Sequence, residues 1–166
     1  MTSSDSLSSF AEHTPWFHEA ARVARSALCK RAKCGAVIVA DGSVIGEGYN
    51  APPQDDLGQA CCEAPVAFVV KPKSDRTCCV HAEWRAICDA LRRNAALVPG
   101  ATLYFTRVDE AGEILRSGPP YCTVCSRLAL DVGLSAFALW HEEGIGLYPT
   151  DAYNRLSYET LRGGFL

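Results

Sequence analysis

Two short segments restrict what this chain can fold into more than any other feature: His81-Ala82-Glu83 and Pro120-Tyr121-Cys122-Thr123-Val124-Cys125. Each opens a stretch of helical periodicity. Ala82, Ala86, Ile87, Ala90 and Leu91 predict a helix from Val80 to about Asn94, and Tyr121 to Val132 predicts another, stopped by Gly133. Cys-x-x-Cys on a first helical turn lets both sulfurs face one metal ion, and the partial positive charge at a helix N-terminus favours thiolate over thiol. With His81 as a third donor, two thiolates and a neutral imidazole cancel the charge of Zn²⁺. Three protein ligands leave a position for water, whose pKa the metal lowers toward neutrality. Glu83, two residues past His81, is a carboxylate suited to take a proton from that water and pass it to a leaving group. Alone, Cys-x-x-Cys also suits half of a structural zinc knot or a redox pair, and His-x-Glu arises by chance. Together they predict a catalytic zinc site and require a fold in which the two helix starts meet.

The rest of the composition narrows the class. The 166 residues suit one domain, with 48% hydrophobic and 21% charged residues. Sixteen basic against nineteen acidic side chains lack the basic excess of a phosphate-backbone binder, so a long nucleic-acid partner is not expected. No apolar run is long enough to span a bilayer, and Met1 to Ser9 lacks the basic and apolar regions of a secretory signal. A cytoplasmic setting is expected. There, nine cysteines point to metal binding or catalysis before disulfides.

Residues 1–13 are expected as a loose, Ser-rich tail and 14–166 as a single domain. Thr14-Pro15 offers an N-cap and an N1 proline for a helix running to about Lys33. Cys34–Ala40 and Val44–Asn50 read as a hairpin turned at Asp41-Gly42. Residues 51–79 form a loop long enough to be functional, and its Lys71, Lys73 and Arg76 are candidate contacts for a substrate phosphate. Thr102–Val108 is a strand, followed by a turn-rich excursion from Asp109 to Pro120. Leu134–Trp140 is a strand, His141-Glu142-Glu143 its end leading into a loop, and Asp151–Leu161 a last helix. A hairpin followed by alternating units predicts an α/β fold with a mixed sheet covered by helices.

At Cys34-Gly-Ala-Val-Ile-Val, Gly48-Tyr49-Asn50, Thr77 to Glu83 and the Cys122/Cys125 pair, the chain resembles the cytidine deaminase superfamily. The resemblance is nearest to the deoxycytidylate deaminase-like branch and runs from about Trp16 to Trp140. It implies a cytidine-deaminase-like three-layer α/β/α sandwich with a mixed sheet of about five strands. It implies a zinc-dependent hydrolytic deaminase acting on a free cytosine nucleotide or nucleoside (dCMP-like) and releasing ammonia. His81, Cys122 and Cys125 would hold zinc, Glu83 would shuttle the proton, and Asn50 and the Ala82 N–H would meet the base. Some deoxycytidylate deaminases carry a second, structural zinc near this loop, which makes Cys34, Cys61, Cys62, Cys78 and Cys79 candidate ligands. The superfamily also implies a homo-oligomer.

Two features depart from the pattern: the excursion between Val108 and Cys122, and Trp84 directly after Glu83. Other readings are a purine or tRNA base deaminase of the same superfamily, a pterin or riboflavin-pathway deaminase, and a non-catalytic zinc-stabilised binding module. The acidic balance opposes the tRNA substrate, and the intact Glu83 opposes the module.

Overall fold

The computed structural model describes residues 3–61 and 78–162. Its elements are α1 (Ser3–Ala24), β1 (Lys33–Ala40), β2 (Ser43–Tyr49), α2 (Ala82–Asn94), β3 (Thr102–Val108), β4 (Ile114–Leu115), α3 (Thr123–Asp131), β5 (Ala136–His141), β6 (Gly144–Pro149) and α4 (Thr150–Arg162). The sheet runs β2-β1-β3-β5-β6, with the short β4 paired to β3. β3 and β5 are parallel and the other pairs antiparallel, because α3 supplies the crossover that a parallel pair needs. The expected sheet of about five strands corresponds to this main path, with β4 as a sixth.

Both faces of the sheet are apolar, as a covered sheet requires. Val37, Val39, Tyr104 and Ala138 point to α1, where Phe17, Ala20 and Val23 meet them. The alternate residues Ala36, Ile38, Leu103, Phe137 and Leu139 point to the opposite face, against Ala82, Ala86, Ile87 and Ala90 of α2 and Ala129 of α3. Three layers result. α2 lies close against the sheet because Gly46 and Gly48 have no side chain: a Cβ on Gly48 would stand 2.2 Å from the Ala82 carbonyl oxygen and 2.3 Å from the Ala86 nitrogen.

Three boundaries differ from the sequence reading. The first helix begins at Ser3, so residues expected as a loose tail are helical, and Pro15 sits inside rather than at N1. Side chains of this extension dock on the sheet: Phe10 packs edge-on to Trp140 at 5.4 Å, and His13 Nδ1 shares a 2.7 Å hydrogen bond with the Tyr104 hydroxyl. Tertiary contact thus outweighs the missing proline N–H. The same helix ends at Ala24 rather than near Lys33. Hydrogen bonds from Ser26 to Val23 and from Ala27 to Ala24 tighten the exit, and Leu28 N–H donates to the Asn50 carbonyl. Lastly, His141-Glu142-Glu143 leads not into a loop but into β6, which returns along β5 with His141 paired to Gly144. Two glycines and a proline conceal β6 in the sequence. As an edge strand it tolerates them.

Candidate active site

The N-termini of α2 and α3 meet on one face of the sheet and bring the three expected donors together. His81 caps α2 in an extended conformation. Cys122 caps α3 and accepts the Cys125 N–H at 3.4 Å, so a thiol does the work of the usual Ser or Asp. The segment before His81 is pinned by the Val80–Ala51 bridge, which fixes His81 beside the end of β2. His81 Nδ1 lies 3.2 Å from Cys125 Sγ and 3.4 Å from Cys122 Sγ, and the sulfurs are 3.0 Å apart. A tetrahedral zinc with bonds of about 2.0–2.3 Å spaces such donors by roughly 3.5–3.8 Å. A small outward movement of two side chains therefore fits the ion. Among the described residues this is the single group of three such donors within 4.8 Å of one another.

Without metal the three share protons unequally. Hydrogen bonding from Cys125, and then from His81, holds the Cys122 thiol down to about 4. Bonding to Cys122 lifts His81 to about 9. Cys125 is pushed well up by donating to Cys122 and by burial. Glu83 lies in the first turn of α2, 6% exposed, and its carboxyl pKa is raised, chiefly by burial. A carboxyl held above its usual range beside a metal site is suited to both accepting and returning a proton.

His81, Glu83 and Cys122 line a cleft of about 590 Å³, with Cys125 buried behind them. Its floor is the α2-facing side of β1, β3 and β5, through Cys34, Phe105 and Leu139, and Tyr153 closes one wall while stacked on Phe137 at 4.1 Å. Ala82 and Asn50 both line the cleft. The Asn50 side chain ties the chain before and at the start of β1: its Oδ1 accepts the Cys34 N–H and its Nδ2 donates to the Ala32 carbonyl, each at 2.8 Å. An amide with two donors and an oxygen with two lone pairs still has one of each for a ligand.

The other expected residues separate. Cys34 and Cys79 line the cleft, and burial pushes the Cys34 thiol up to about 12. Cys61 N–H donates to Cys78 Sγ at 3.1 Å. Among the described residues Cys34, Cys61, Cys78 and Cys79 do not gather into a second three-donor group. Cys62, Lys71, Lys73 and Arg76 lie outside the described residues. The sequence reading missed three arginines that line the cleft, Arg31, Arg107 and Arg116. The available signal was the excursion after β3, which carries Arg116.

The family model of the cytidine and deoxycytidylate deaminase zinc-binding region matches residues 11–138. The chain belongs to this family. A deoxycytidylate deaminase of Mycobacterium phage D29 is 37% identical over 94 residues, 53% of this chain and 71% of that protein. A cytidine deaminase from Burkholderia pseudomallei shares the fold with a TM-score of 0.55 and 19% identity, over 85% of this chain and 94% of that one. A dCMP deaminase from the cyanophage S-TIM5, solved with dCMP and dUMP, aligns at a TM-score of 0.49 and 20% identity over 75% and 76% of the two chains. The protein is thus a zinc-dependent deaminase with a cytidine-deaminase-like α/β fold. Among the described residues no helix is long and apolar enough to cross a membrane.

Proposed function

We propose that this enzyme hydrolytically deaminates the cytosine of a free nucleotide of the deoxycytidylate type. In this reading His81, Cys122 and Cys125 hold zinc and Glu83 moves the proton. The observation that carries the proposal is the buried Glu83 carboxyl, in a cleft of small-molecule size directly beside the one three-donor cluster of the described residues. The likeness to the phage deoxycytidylate deaminase supports the choice of base and sugar.

Zinc, when bound, supplies the Lewis acidity that brings the pKa of water toward 7. Glu83 takes the proton of the attacking water on a carboxylate oxygen and delivers it to ring nitrogen N3. Oxygen adds at C4 as a hydroxyl, whose proton passes through Glu83 to the amino group; the C4–amino bond then breaks, ammonia leaves, and C4 becomes a carbonyl. Asn50 and the Ala82 N–H hold the base against the floor of Cys34, Phe105 and Leu139. Burial by that floor and by Tyr153 excludes bulk water, which strengthens each polar contact made inside.

The same reading places the enzyme in the cytoplasm, because a site that needs two reduced thiols suits a reducing compartment. It also makes the enzyme a homo-oligomer, supported by the exposed side chains of Trp84, Cys88 and Leu91 along one stripe of α2. Light scattering on the zinc-loaded protein tests the assembly, and a monomer at micromolar concentration refutes it. The function is tested by mass spectrometry of cytosine, deoxycytidine, cytidine, dCMP, CMP, guanine, adenosine and tRNA after incubation. A one-dalton gain on dCMP is expected. Conversion confined to a purine or to tRNA would overturn the proposal.

A further inference from the structure

The two cysteines assigned to zinc sit on a turn that the chain just before it holds poorly. Ser117 N–H is tied to the Trp140 carbonyl at 2.7 Å, but Pro119 and Pro120 have no N–H to anchor. Tyr121 is therefore the one residue between Gly118 and Cys122 whose backbone can donate a hydrogen bond. The deaminase signature sets proline directly before the first cysteine, where its ring stiffens the entry to the metal turn. Here Tyr121 intervenes. The helix that follows, α3, is only 9 residues long, too short to fix its own first turn without tertiary support.

α4 meets this turn on both sides. Ahead of Cys122, the Tyr121 N–H donates to the Tyr153 hydroxyl. Just past Cys125, the fully buried Ser126 hydroxyl shares its proton between Asn154 Oδ1 at 2.8 Å and the Thr123 carbonyl at 3.1 Å. We propose that Tyr153 and Asn154 are positioning residues for the metal centre: they bracket the Cys122–Cys125 turn and hold its backbone where both sulfurs reach one zinc ion. This rests on the ligand set assigned above. It adds a helix outside the matched family region, which ends at residue 138.

The bracket is firm because α4 is seated without help from the metal. Its first residue is pinned twice: Thr150 N–H donates to the Ser135 carbonyl at 3.0 Å, and the Thr150 hydroxyl donates to the Leu134 carbonyl at 2.7 Å. The buried Tyr153 ring stacks on Phe137 at 4.1 Å and meets Tyr148 edge-on at 6.2 Å. A ring held on two sides presents its hydroxyl with little freedom left to lose. Without the bracket, the turn would have to become ordered as the metal binds, and that cost would weaken binding. Partners behind a metal's ligands typically contribute tenfold to about a hundredfold in affinity.

Tyr153→Phe keeps the ring on Phe137 and removes only the hydroxyl. Asn154→Leu removes the partner of Ser126, and Ser126→Ala removes the same bond from α3 should that variant not fold. Zinc affinity, measured by competition with a chromogenic chelator, should fall about 10–100-fold for each. Asn154→Asp keeps an acceptor for Ser126 and should stay near wild type. So should Tyr158→Phe, which alters an exposed tyrosine of the same helix. Cobalt(II) in place of zinc reports ligand geometry: the visible bands of the thiolate-bound ion should shift or weaken in Tyr153→Phe and not in Tyr158→Phe. Wild-type zinc affinity on removal of either anchor overturns the bracket, as does an equal loss in Tyr158→Phe. A wild type that holds no zinc refutes the ligand set and the bracket together. Tight zinc in the wild type and the variants alike overturns the bracket and leaves the ligand set standing.

Discussion

Gly48→Ala probes how the sheet positions the chemistry. The new Cβ would sit 2.2 Å from the Ala82 carbonyl oxygen, 2.3 Å from the Ala86 nitrogen and 2.8 Å from the Arg85 carbonyl carbon, all backbone atoms of α2. Ordinary contact begins near 3.4 Å, so β2 and the first turn of α2 must part by roughly 1 Å. No side chain can swing aside to relieve the clash. Overpacking of this kind costs about 1–3 kcal/mol, which for a chain of this size lowers Tm by roughly 3–12 °C.

The displaced turn carries His81, Ala82 and Glu83. A misplacement of about 1 Å at reacting groups costs on the order of a hundredfold in rate, so kcat/KM for dCMP should fall by about that factor in protein that is still folded. Gly42→Ala is the comparison: its Cβ meets nothing within 4 Å and its φ of 69° imposes only local strain, about 1–2 kcal/mol, far from the cleft. Calorimetry and steady-state kinetics at a temperature below both midpoints separate the two effects. A Gly48→Ala enzyme with wild-type Tm and kcat/KM would refute the argument that backbone contact between β2 and α2 sets the geometry. Equal activity loss in both variants would reduce the effect to general destabilisation.

Glu83→Gln should keep the fold and bound zinc yet lose at least about a hundredfold in kcat, measured by ammonia release alongside metal analysis; near-normal turnover would remove Glu83 as the proton carrier. Cys125→Ser should release zinc and lower Tm, since the metal binds the folded state alone, and unchanged metal content would count against the assigned ligand set. Tyr104 gives an alkaline signature: burial, then the Glu12 charge, raises its phenol to about 12. Below about pH 10 the phenol is neutral folded and unfolded, and the full stability is present. From about 10 to 12 the unfolded chain ionises first, so stability falls with rising pH by about 1–2 kcal/mol, the half-buried contact with His13 trimming the full effect. Tyr104→Phe should flatten that part of the urea-denaturation pH profile.

Local chemistry wrote much of this protein into its sequence. Donor types at His81, Cys122 and Cys125, a carboxylate at Glu83, and helix periodicity after each were readable because a cap, a turn of helix and a metal ligand pair each span a few residues. Asp41-Gly42 and Gly133 were readable for the same reason: both glycines and Asp41 take positive φ, at 69°, 82° and 49°, which few residues tolerate. Tertiary contact decided the rest. Pro15 is helical because Phe10 and His13 have Trp140 and Tyr104 to dock on. β6 forms despite Gly144, Gly146 and Pro149 because β5 offers an open edge. Ser117, Gly118 and Pro119 reach the cleft because β5 stops pairing at Tyr104 and leaves room on β3 for β4, which precedes them. Nothing within a few residues of that segment specifies the placement, since it depends on where strands distant in sequence end against one another.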